Sequence, residues 1–343
     1  MSKMRAMVVP EPGGRFRMEE RNLPEPGRHE VRLRVHACGV CHSDSMLVEG
    51  LMPGLSYPRI PGHEVIGAID ALGPDVEGWA VGARAGVGWF GGACGYCGHC
   101  RRGDAFACEN IHGATGVTRD GGYATHMLAL ASALAHVPEA LDAVASAPLL
   151  CAGITTFNAL RNCGAKLGDL VAIHGVGGLG HLGIQYAKAM GLHIAAIDID
   201  DGKLDHAKRL GADLMINAKK SDPSAILKKE IGGGAHGVLI TAPSLPAFKQ
   251  GVGMTRKRGT CVLVGLPPGD FPVPLFDVVA NCITIRGSFV GTREDMAEAL
   301  AFAAEGKVKA DIELQPLSKI NKIFSRLEHG DVPSRVVLDF AAA

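Results

Sequence analysis

The chain has 343 residues, a hydrophobic content of 47% and equal numbers of basic and acidic residues, so its formal net charge is zero. This length favours two domains, and the apolar content is sufficient for a core in each. A neutral chain with 5% aromatic residues lacks the basic surface and the stacking side chains that nucleic-acid binding needs. No apolar run reaches the ~18 residues of a membrane helix. We therefore expect neither a nucleic-acid partner nor a membrane partner.

The first part of the chain, up to about residue 151, is predicted to be rich in β-strands. Apolar and polar side chains alternate over residues 30–37, which is the pattern of a half-buried strand. Proline and glycine interrupt the pattern between the strands. Helical character is predicted to begin within residues 134–147. Further short strands are predicted at 3–9, 65–72 and 82–87.

From residue 167 onward, apolar runs of strand length alternate with segments of helical period. This alternation predicts a doubly wound parallel sheet. The tail, with a helix near 294–305 and a strand at 335–340, is predicted to rejoin the first domain. We expect a β-rich domain over 1–151 and 289–343 and an α/β domain over 152–288. The predicted strands of the α/β domain are 170–174, 193–198, 213–216, 237–241, 260–264 and 283–286, and its helices are 179–190, 201–210, 223–231 and 245–256.

A glycine-rich turn joins the strand at 170–174 to the helix that follows it. Gly175 permits the tight turn, Gly177 lets a pyrophosphate approach the backbone, and Gly180 lets the helix pack close to the strand. The free N–H groups of the helix N-terminus favour phosphate binding. The next strand ends in an acidic residue that can accept hydrogen bonds from an adenosine ribose. The predicted dinucleotide-binding residues are Gly175, Gly177, Gly178, Leu179, Gly180 and Asp198.

Four cysteines with the spacing Cys94-x2-Cys97-x2-Cys100-x7-Cys108 form the most specific motif of the chain. The N-terminal residues lack the apolar segment of a signal peptide, so we expect a cytoplasmic protein whose thiols stay reduced. Four thiolates close together on a glycine-rich loop suit zinc in a closed structural site. An iron–sulfur cluster uses similar spacings and remains an alternative from spacing alone.

A second group of candidate ligands is dispersed along the chain. Cys38 and Cys41 lie close together, His63 and Glu64 follow a glycine, and Cys151 stands before the α/β domain. A catalytic zinc needs a mixed shell of thiolate and imidazole with one position open for substrate. The residues alone do not choose among these candidates, because a lone cysteine is more often a core residue.

The chain resembles the zinc-dependent medium-chain alcohol dehydrogenases, the class that includes the yeast and bacterial ethanol enzymes. The resemblance rests on Cys41-His42-Ser43-Asp44, on Gly62-His63-Glu64-x2-Gly67, on the four-cysteine loop, and on the glycine turn with its acidic partner. It implies a GroES-like catalytic domain and a Rossmann domain, with two zinc ions per chain and NAD. It also implies a small alcohol or aldehyde substrate and a homotetramer. Polyol, threonine and NADP-linked aryl-alcohol enzymes are the alternatives within the class, and a zinc-binding, NAD-sensing or structural protein of the same fold without turnover is the alternative outside it.

The resemblance assigns the catalytic metal site residue by residue. Cys41, His63 and Cys151 match its three zinc ligands. Glu64 matches a carboxylate beside the metal that can join it. Asp44 matches an acid that orients the zinc histidine, a role expected of an outer-shell carboxylate. Cysteines 38, 163, 261 and 282 match no role, and we expect them to be small core residues.

The substrate side follows from the same resemblance. Ser43 matches the hydroxyl that holds the alcohol oxygen and takes its proton. Many relatives carry a histidine five positions after the first zinc ligand, where this chain has Met46. The proton relay is therefore predicted to end at Ser43 and the cofactor ribose or to leave through water. The predicted substrate pocket consists of Met52, Trp89 and Phe90.

The cofactor side is predicted to favour NAD, because a carboxylate at Asp198 pairs with a 2′-hydroxyl and repels a 2′-phosphate. Ile199, Asp200 and Asp201 follow it and offer no cation to a phosphate. The resemblance adds contacts to the ribose, the pyrophosphate and the nicotinamide amide. These further contacts are predicted at His42, Lys203, Val264, Val290 and Arg335.

Overall fold

The structure is a computed structural model. In the described part of the chain the backbone forms fifteen strands and eleven α-helices, with short 3₁₀ turns between some of them. The described residues are 2–52, 54–110, 113–332 and 334–340.

The strands, in chain order, are β1 (Lys3–Val8), β2 (Arg17–Asn22), β3 (Glu30–Val40), β4 (Val65–Leu72), β5 (Arg84–Val87), β6 (His126–Leu130), β7 (Leu134–His136), β8 (Leu170–His174), β9 (His193–Asp198), β10 (Leu214–Asn217), β11 (Ala235–Ile240), β12 (Thr255–Leu263), β13 (Thr284–Gly287), β14 (Ile312–Pro316) and β15 (Arg335–Asp339). The helices are α1 (Ser43–Val48), α2 (Gly98–Arg101), α3 (Ala143–Ser146), α4 (Ala152–Arg161), α5 (Gly180–Ala189), α6 (Asp201–Leu210), α7 (Pro223–Ile231), α8 (Leu245–Met254), α9 (Leu275–Ala280), α10 (Arg293–Ala304) and α11 (Ile320–Glu328).

The chain divides into two compact units. The predicted domain boundaries placed 289–291 and 305–309 with the first domain, whereas the structure packs both segments with the second unit. The first unit comprises Met1–Cys151, Thr292–Ala304 and Ala310–Ala343, and the second comprises Ala152–Gly291 and Glu305–Lys309.

The first unit is organised around β3, the longest of its described strands. This strand pairs antiparallel with β4, β6 and β15, and the resulting seven-stranded sheet has the order β14-β15-β3-β4-β5-β7, with β6 on β3. Val31, Leu33 and Val35 are buried on one face of β3, as the alternation predicted. The tail strand β15 therefore joins the first unit through β3.

One predicted element of the first unit is wrong. Helical character was expected within 134–147, but Leu134–His136 forms β7 and pairs antiparallel with β5. The helix begins later, at α3, where the Asp142 side chain accepts a hydrogen bond from the backbone N–H of Ala145 at 2.8 Å. Strand pairing thus outweighs the helical propensity of this alanine-rich stretch, because propensity is only a weak prior.

The second unit contains a six-stranded parallel sheet of order β10-β9-β8-β11-β12-β13. The first of these strands in the sequence, β8, lies in the middle of the sheet, and β9 and β10 lie on one side of it. The later strands β11, β12 and β13 lie on the other side. This doubly wound order confirms the predicted Rossmann class. Its switch point lies between β8 and β11, where ligands bind beyond the carboxyl ends of the strands. The glycine turn follows β8 at this point.

The sequence pattern located several elements of the second unit to the residue. The predicted strands 170–174 and 193–198 and the helices 201–210 and 223–231 are confirmed with those bounds. Asp200 accepts a hydrogen bond from the N–H of Lys203 at the start of α6. Gly211 ends that helix in the left-handed region with φ 105°.

No single helix among the described residues is long and apolar enough to cross a membrane. The helical segments Ala143–Leu150 and Ala152–Arg161, bent by 49°, meet the requirement of length and composition only together.

Candidate metal and dinucleotide sites

The dispersed candidate ligands meet in the first unit because of strand pairing. Cys41 directly follows β3, and His63 and Glu64 directly precede β4. The two strands are antiparallel neighbours, with Cys38 opposite Val65. Cys151 ends the turn of 147–150, which packs against β3. The sheet therefore brings together side chains that are up to 110 residues apart in the sequence.

The geometry of this buried cluster suits a zinc ion. One ligand atom from each of Cys41, His63, Glu64 and Cys151 lies within 4.8 Å of the others, and all four residues are buried. The two sulfurs are 3.9 Å apart, close to the separation of about 3.8 Å for two thiolates at ~2.3 Å from a tetrahedral zinc. Nε2 of His63 and Oε2 of Glu64 are buried and have no hydrogen-bond partner in the described chain. Buried polar atoms need partners, and a metal would supply one.

Asp44 orients the histidine of the cluster. Its Oδ1 accepts hydrogen bonds from Nδ1 of His63 at 3.1 Å and from the N–H of Gly62 at 3.4 Å. Its Oδ2 accepts from the N–H of Cys41 at 3.1 Å and from the hydroxyl of Tyr123 at 2.7 Å. A proton on Nδ1 of His63 leaves the lone pair of Nε2 free for a metal. The role of Asp44 was predicted, whereas the contact of Tyr123 with its carboxylate was not.

Glu64 forms a buried ion pair with Arg335. The guanidinium Nη2 contacts Oε1 of Glu64, and both side chains are almost completely enclosed. The carboxylate of Glu64 fills the space over Gly39, where a Cβ would overlap it. Arg335 was predicted as a pyrophosphate contact, and its pairing with Glu64 was not foreseen. Its role toward the cofactor stays a prediction.

The pKa values of the cluster residues depend on one another and on Asp44. The hydrogen bond from the Cys151 thiol holds the pKa of Cys41 well below its usual range, although burial opposes this. The same hydrogen bond, together with burial, raises the pKa of Cys151. Burial alone would lower the pKa of His63, but the Asp44 carboxylate raises it well above its usual range. In each case a neighbour that belongs to the cluster or hydrogen-bonds to one of its members decides the direction of the shift.

The predicted substrate residues lie in the same unit as the cluster. Ser43 is half-buried at the first position of α1. The ring of Trp89 meets His63 edge-on, with centroids 4.9 Å apart. Met52 packs against the apolar core of the unit, and Phe90 pairs with Ala114 in an isolated bridge. The structure therefore places Trp89 against the cluster, whereas Met52 and Phe90 remain predictions.

The four-cysteine loop forms a second candidate metal site. One sulfur from each of its cysteines lies within 4.8 Å of the others. The Cys97 side chain caps α2 by accepting from the N–H of Cys100 at 3.5 Å. Burial alone would raise the pKa of Cys94, but backbone N–H donors from Tyr96 and Cys97 lower it to about 6. Such donors favour the thiolate, the form that binds metal.

The glycine turn of the second unit has the features of a dinucleotide site. Gly175 has φ 102°, a conformation that favours glycine. A Cβ at Gly180 would overlap the carbonyl oxygen of Gly175, so only glycine allows this close approach of helix and strand. A Cβ at Gly177 would meet nothing within 4 Å, so the backbone there is open to a ligand. Gly175, Gly177 and Gly180 thus have the environments that their predicted roles require, whereas the role of Gly178 stays a prediction.

Asp198 ties the end of β9 to the glycine turn. Its Oδ2 accepts from the N–H of Val176 at 2.7 Å, and its Oδ1 accepts from the N–H of Ile199 at 2.7 Å and of Asp200 at 3.1 Å. The carboxylate is buried. These contacts position it at the carboxyl edge of the sheet, next to the turn, as the ribose-binding prediction requires.

The remaining predicted cofactor residues are distributed over both units. Lys203 is exposed in the first turn of α6, and Val264 is buried directly after β12. Val290 is buried with φ 40°, and its carbonyl accepts from Nδ2 of Asn158 at 2.7 Å. His42 is exposed at the start of α1 in the first unit. Their contacts with a cofactor remain predictions.

The cysteines without a predicted role divide into two groups. Cys38, Cys163 and Cys261 are buried, as expected of small core residues. Cys282 is exposed, so its expected core position is wrong. It follows α9 with φ 51° and its sulfur donates to the carbonyl of Val279 at 3.8 Å. It lies in the turn that ends this exposed helix, which its apolar character alone did not indicate.

Comparison with known proteins agrees with this geometry. Residues 27–139 match the family described as Alcohol dehydrogenase GroES-like domain, and residues 178–305 match the family described as Zinc-binding dehydrogenase. An alcohol dehydrogenase of Moraxella sp. (strain TAE123) is 49% identical over 98% of this chain and 99% of its own. One from Geobacillus stearothermophilus is 46% identical over 98% and 99%.

The fold agrees with a solved structure as well. The alcohol dehydrogenase of the hyperthermophilic archaeon Aeropyrum pernix superposes with a TM-score of 0.88 at 30% identity, covering 98% of this chain and 99% of that one. Both halves of the sequence, both metal-ligand clusters and the glycine turn thus point to one family. The chain belongs to the zinc-dependent medium-chain alcohol dehydrogenases, a family of oxidoreductases that use zinc and a pyridine nucleotide.

Proposed function

We propose that this enzyme oxidises primary alcohols reversibly to aldehydes with NAD as the hydride acceptor and a zinc ion at the buried cluster. The observation that carries the proposal is the set of buried lone pairs on His63 and Glu64 beside two sulfurs 3.9 Å apart. Three protein ligands with an open position are typical of catalytic zinc, whereas four thiolates are typical of structural zinc. We accordingly propose two zinc ions per chain, the second in the four-cysteine loop.

The proposed division of labour follows from the residues. Cys41, His63 and Cys151 would hold the metal, and Glu64 would exchange on and off it. Zinc bound there acts as a Lewis acid that lowers the pKa of an alcohol hydroxyl and polarises an aldehyde carbonyl. The hydroxyl of Ser43 would hold the alcohol oxygen and accept its proton, while Asp44 keeps the histidine ring in place. A bound nicotinamide would supply the hydride acceptor, and the residues of the glycine turn and its neighbours would orient it.

The preference for NAD is proposed from Asp198. Its buried carboxylate lies at the end of β9 beside the glycine turn, and Ile199, Asp200 and Asp201 follow. A 2′-phosphate at this position would meet negative charge, whereas a 2′-hydroxyl would find an acceptor. We propose further that Lys203 contacts the same ribose, and that His42, Val264, Val290 and Arg335 contact the rest of the cofactor.

The preference for primary alcohols is proposed from the predicted pocket. Trp89 lies against His63 and limits the space beside the cluster. Met52 and Phe90 are proposed as its other walls. Because the unbranched side chain of Met52 takes up less space than a tryptophan side chain would, we expect longer and aromatic primary alcohols to be substrates as well as ethanol.

Subunit association is proposed as well. Leu275, Phe276 and Val279 on α9 are each more than 70% exposed. The neighbouring strand β13 is the last of its sheet, and apolar surface of this kind commonly marks an interface. We propose that the enzyme is a homotetramer and that this face is one of its contacts. Light scattering of Phe276→Ser and Val279→Ser variants should show smaller species than the wild type.

The location is proposed to be the cytoplasm, where the NAD pool supplies the cofactor. Cell fractionation with activity staining tests this point independently of the chemistry.

A substrate and cofactor panel, combined with metal analysis, tests the proposed function. We expect NADH formation from ethanol, butanol and benzyl alcohol with NAD, much slower turnover with NADP, and two zinc ions per chain. Asp198→Gly should reduce the preference for NAD. Metal at the cluster without turnover of any alcohol would contradict the proposal, and so would an equal rate with NADP.

A further inference from the structure

The side chain of Tyr123 lies completely buried beneath the candidate metal cluster. It is 0% exposed, and its ring packs against the rings of Phe16 and Phe324 at centroid distances of 6.1 and 6.4 Å. The ring also lies against Gly62, the residue before His63, so closely that a Cβ on Gly62 would overlap it. The aromatic part of Tyr123 therefore has the surroundings of an ordinary core residue.

The hydroxyl of Tyr123 has a different partner. It donates a hydrogen bond of 2.7 Å to Oδ2 of Asp44, the shortest of the four that this carboxylate accepts. A carboxylate offers about four lone-pair sites, and each oxygen of Asp44 here has two donors. Two of the donors are backbone groups, one is His63, and the fourth is the phenol. Asp44 is thus fully satisfied only when Tyr123 carries its hydroxyl.

We propose that Tyr123 is a positioning residue of the metal site, acting through Asp44 on His63. The phenol holds Oδ2 in place, which keeps Oδ1 on Nδ1 of His63 and keeps Nε2 directed into the cluster. Hydrogen-bond partners of a metal-bound histidine contribute to metal affinity through its orientation. The proposal adds one residue to the series of hydrogen bonds that leads from Asp44 to the metal ligand His63. It rests on the proposed zinc at the cluster.

The hydroxyl can be separated from the structural contacts of the residue. The backbone of Tyr123 is held by its N–H to the carbonyl of Pro61 at 3.0 Å, and its carbonyl accepts from Met7 at 2.8 Å. These contacts and the ring packing persist in Tyr123→Phe, so the variant should fold. Tyr57→Phe is the matched control, because its hydroxyl donates to the carbonyl of Leu47 at 2.5 Å in the same unit and has no role in the proposed site.

The test is the rate at which zinc leaves the cluster to a chromophoric chelator. Zinc from the four-cysteine loop is measured in His63→Ala, which lacks the cluster, and is subtracted. We expect Tyr123→Phe to release cluster zinc about tenfold faster than the wild type, in line with the effect of other outer-shell partners. Tyr57→Phe should release it at the wild-type rate. The cobalt-substituted Tyr123→Phe protein should show a shifted ligand-field spectrum, which a change in core packing alone would not produce.

A double-mutant cycle shows whether Tyr123 acts through Asp44. We expect Asp44→Asn to accelerate release, and Tyr123→Phe to add nothing in the Asp44→Asn background. Additive effects, or equal release from the wild type and Tyr123→Phe, would overturn this inference while leaving the proposed function intact. A wild-type protein that holds zinc only in the loop would overturn the proposed function and this inference with it.

Discussion

Two groups of four candidate ligands in the same unit have opposite designs. The buried cluster of Cys41, His63, Glu64 and Cys151 draws its members from the ends of separate elements, and all four are buried. The loop cluster of Cys94, Cys97, Cys100 and Cys108 draws them from fifteen consecutive residues, and two of the four are half-buried. Each group nevertheless brings its ligand atoms within 4.8 Å. Similar spacing of atoms is therefore reached by two different routes.

The supports of the two clusters differ in the same way. Around the buried cluster, the core of the sheet places the ligands, and Asp44 and Arg335 hold two of them. Around the loop cluster, α2 contributes no buried residue, and the sulfurs accept from backbone N–H groups and from the side-chain amide of Asn110. Because so few core contacts hold the loop, we expect its fold to depend on the metal, as in small zinc modules. The buried cluster should keep its geometry without metal.

The largest expected difference between the clusters is in turnover. Cys151→Ser removes a ligand from the buried cluster and should weaken the Lewis-acid stabilisation of the transition state by the metal, which is worth several kcal/mol. We therefore expect kcat to fall about a thousandfold or more. Cys100→Ser in the loop should keep kcat per folded molecule within about twofold, because the loop would not contact the reacting atoms. Steady-state kinetics on the folded fraction measures both. Equal losses of kcat in the two variants would contradict the expected difference between the clusters.

The second expected difference is in the stability of the buried cluster. Glu64→Gln removes the carboxylate from the buried ion pair with Arg335, and breaking such a pair typically costs about 3–5 kcal/mol. Glu109→Gln, exposed beside the loop cluster, should change the free energy of unfolding by less than about 0.5 kcal/mol. Both tryptophans, Trp79 and Trp89, belong to the first unit, so urea unfolding followed by their fluorescence reports this unit. A similar small effect of both variants would show that the ion pair is not stabilising.

The third expected difference is in how readily the four-cysteine loop opens to a protease. Arg101 and Arg102 are exposed trypsin sites on the loop. Proteolysis in a folded protein requires local opening, so the cleavage rate follows the fraction of molecules in which the loop is open. Because a loss of ~1.4 kcal/mol in loop stability raises that fraction tenfold, Cys100→Ser should increase cleavage at these sites at least tenfold. Cys151→Ser should be cleaved at the wild-type rate. Fragment analysis by mass spectrometry locates the cut, and unchanged cleavage of Cys100→Ser would show that the loop is stable without its metal.

The contrast also explains which features the sequence revealed. The loop cluster is encoded by spacing, and the strands at 170–174 and 193–198 are encoded by apolar runs ending in glycine or aspartate. Both signals are local, so they could be located to the residue. The buried cluster has no local signal, because Cys41 and Cys151 meet only through the pairing of the sheet. The residues alone named candidates for it, and only the family resemblance chose the ligands among them.

Other features required the tertiary structure. The strand Leu134–His136 exists because it pairs with β5, although the alanine-rich stretch 134–147 that contains it favours a helix. Arg335 and Glu64 meet because β15 returns to β3. Tyr123 follows two glycines, and that pattern indicates a turn rather than a hydroxyl directed at Asp44. In each case the deciding contact joins residues distant in the sequence.

The smallest expected effect concerns proton transfer at the buried cluster. Met46 lies three residues after Ser43 on α1, so the two side chains share a helix face. Met46→His would place an imidazole there, and only the neutral ring, above a pKa of about 6.5, can accept a proton. The variant's kcat should therefore rise severalfold through that pH, a step that the wild type and Met46→Leu should lack. His99→Leu, on α2 beside the loop cluster, should leave the profile unchanged. Because the imidazole acts only where a proton leaves the substrate, identical pH profiles for Met46→His and Met46→Leu would place the exit route elsewhere, through water rather than along α1.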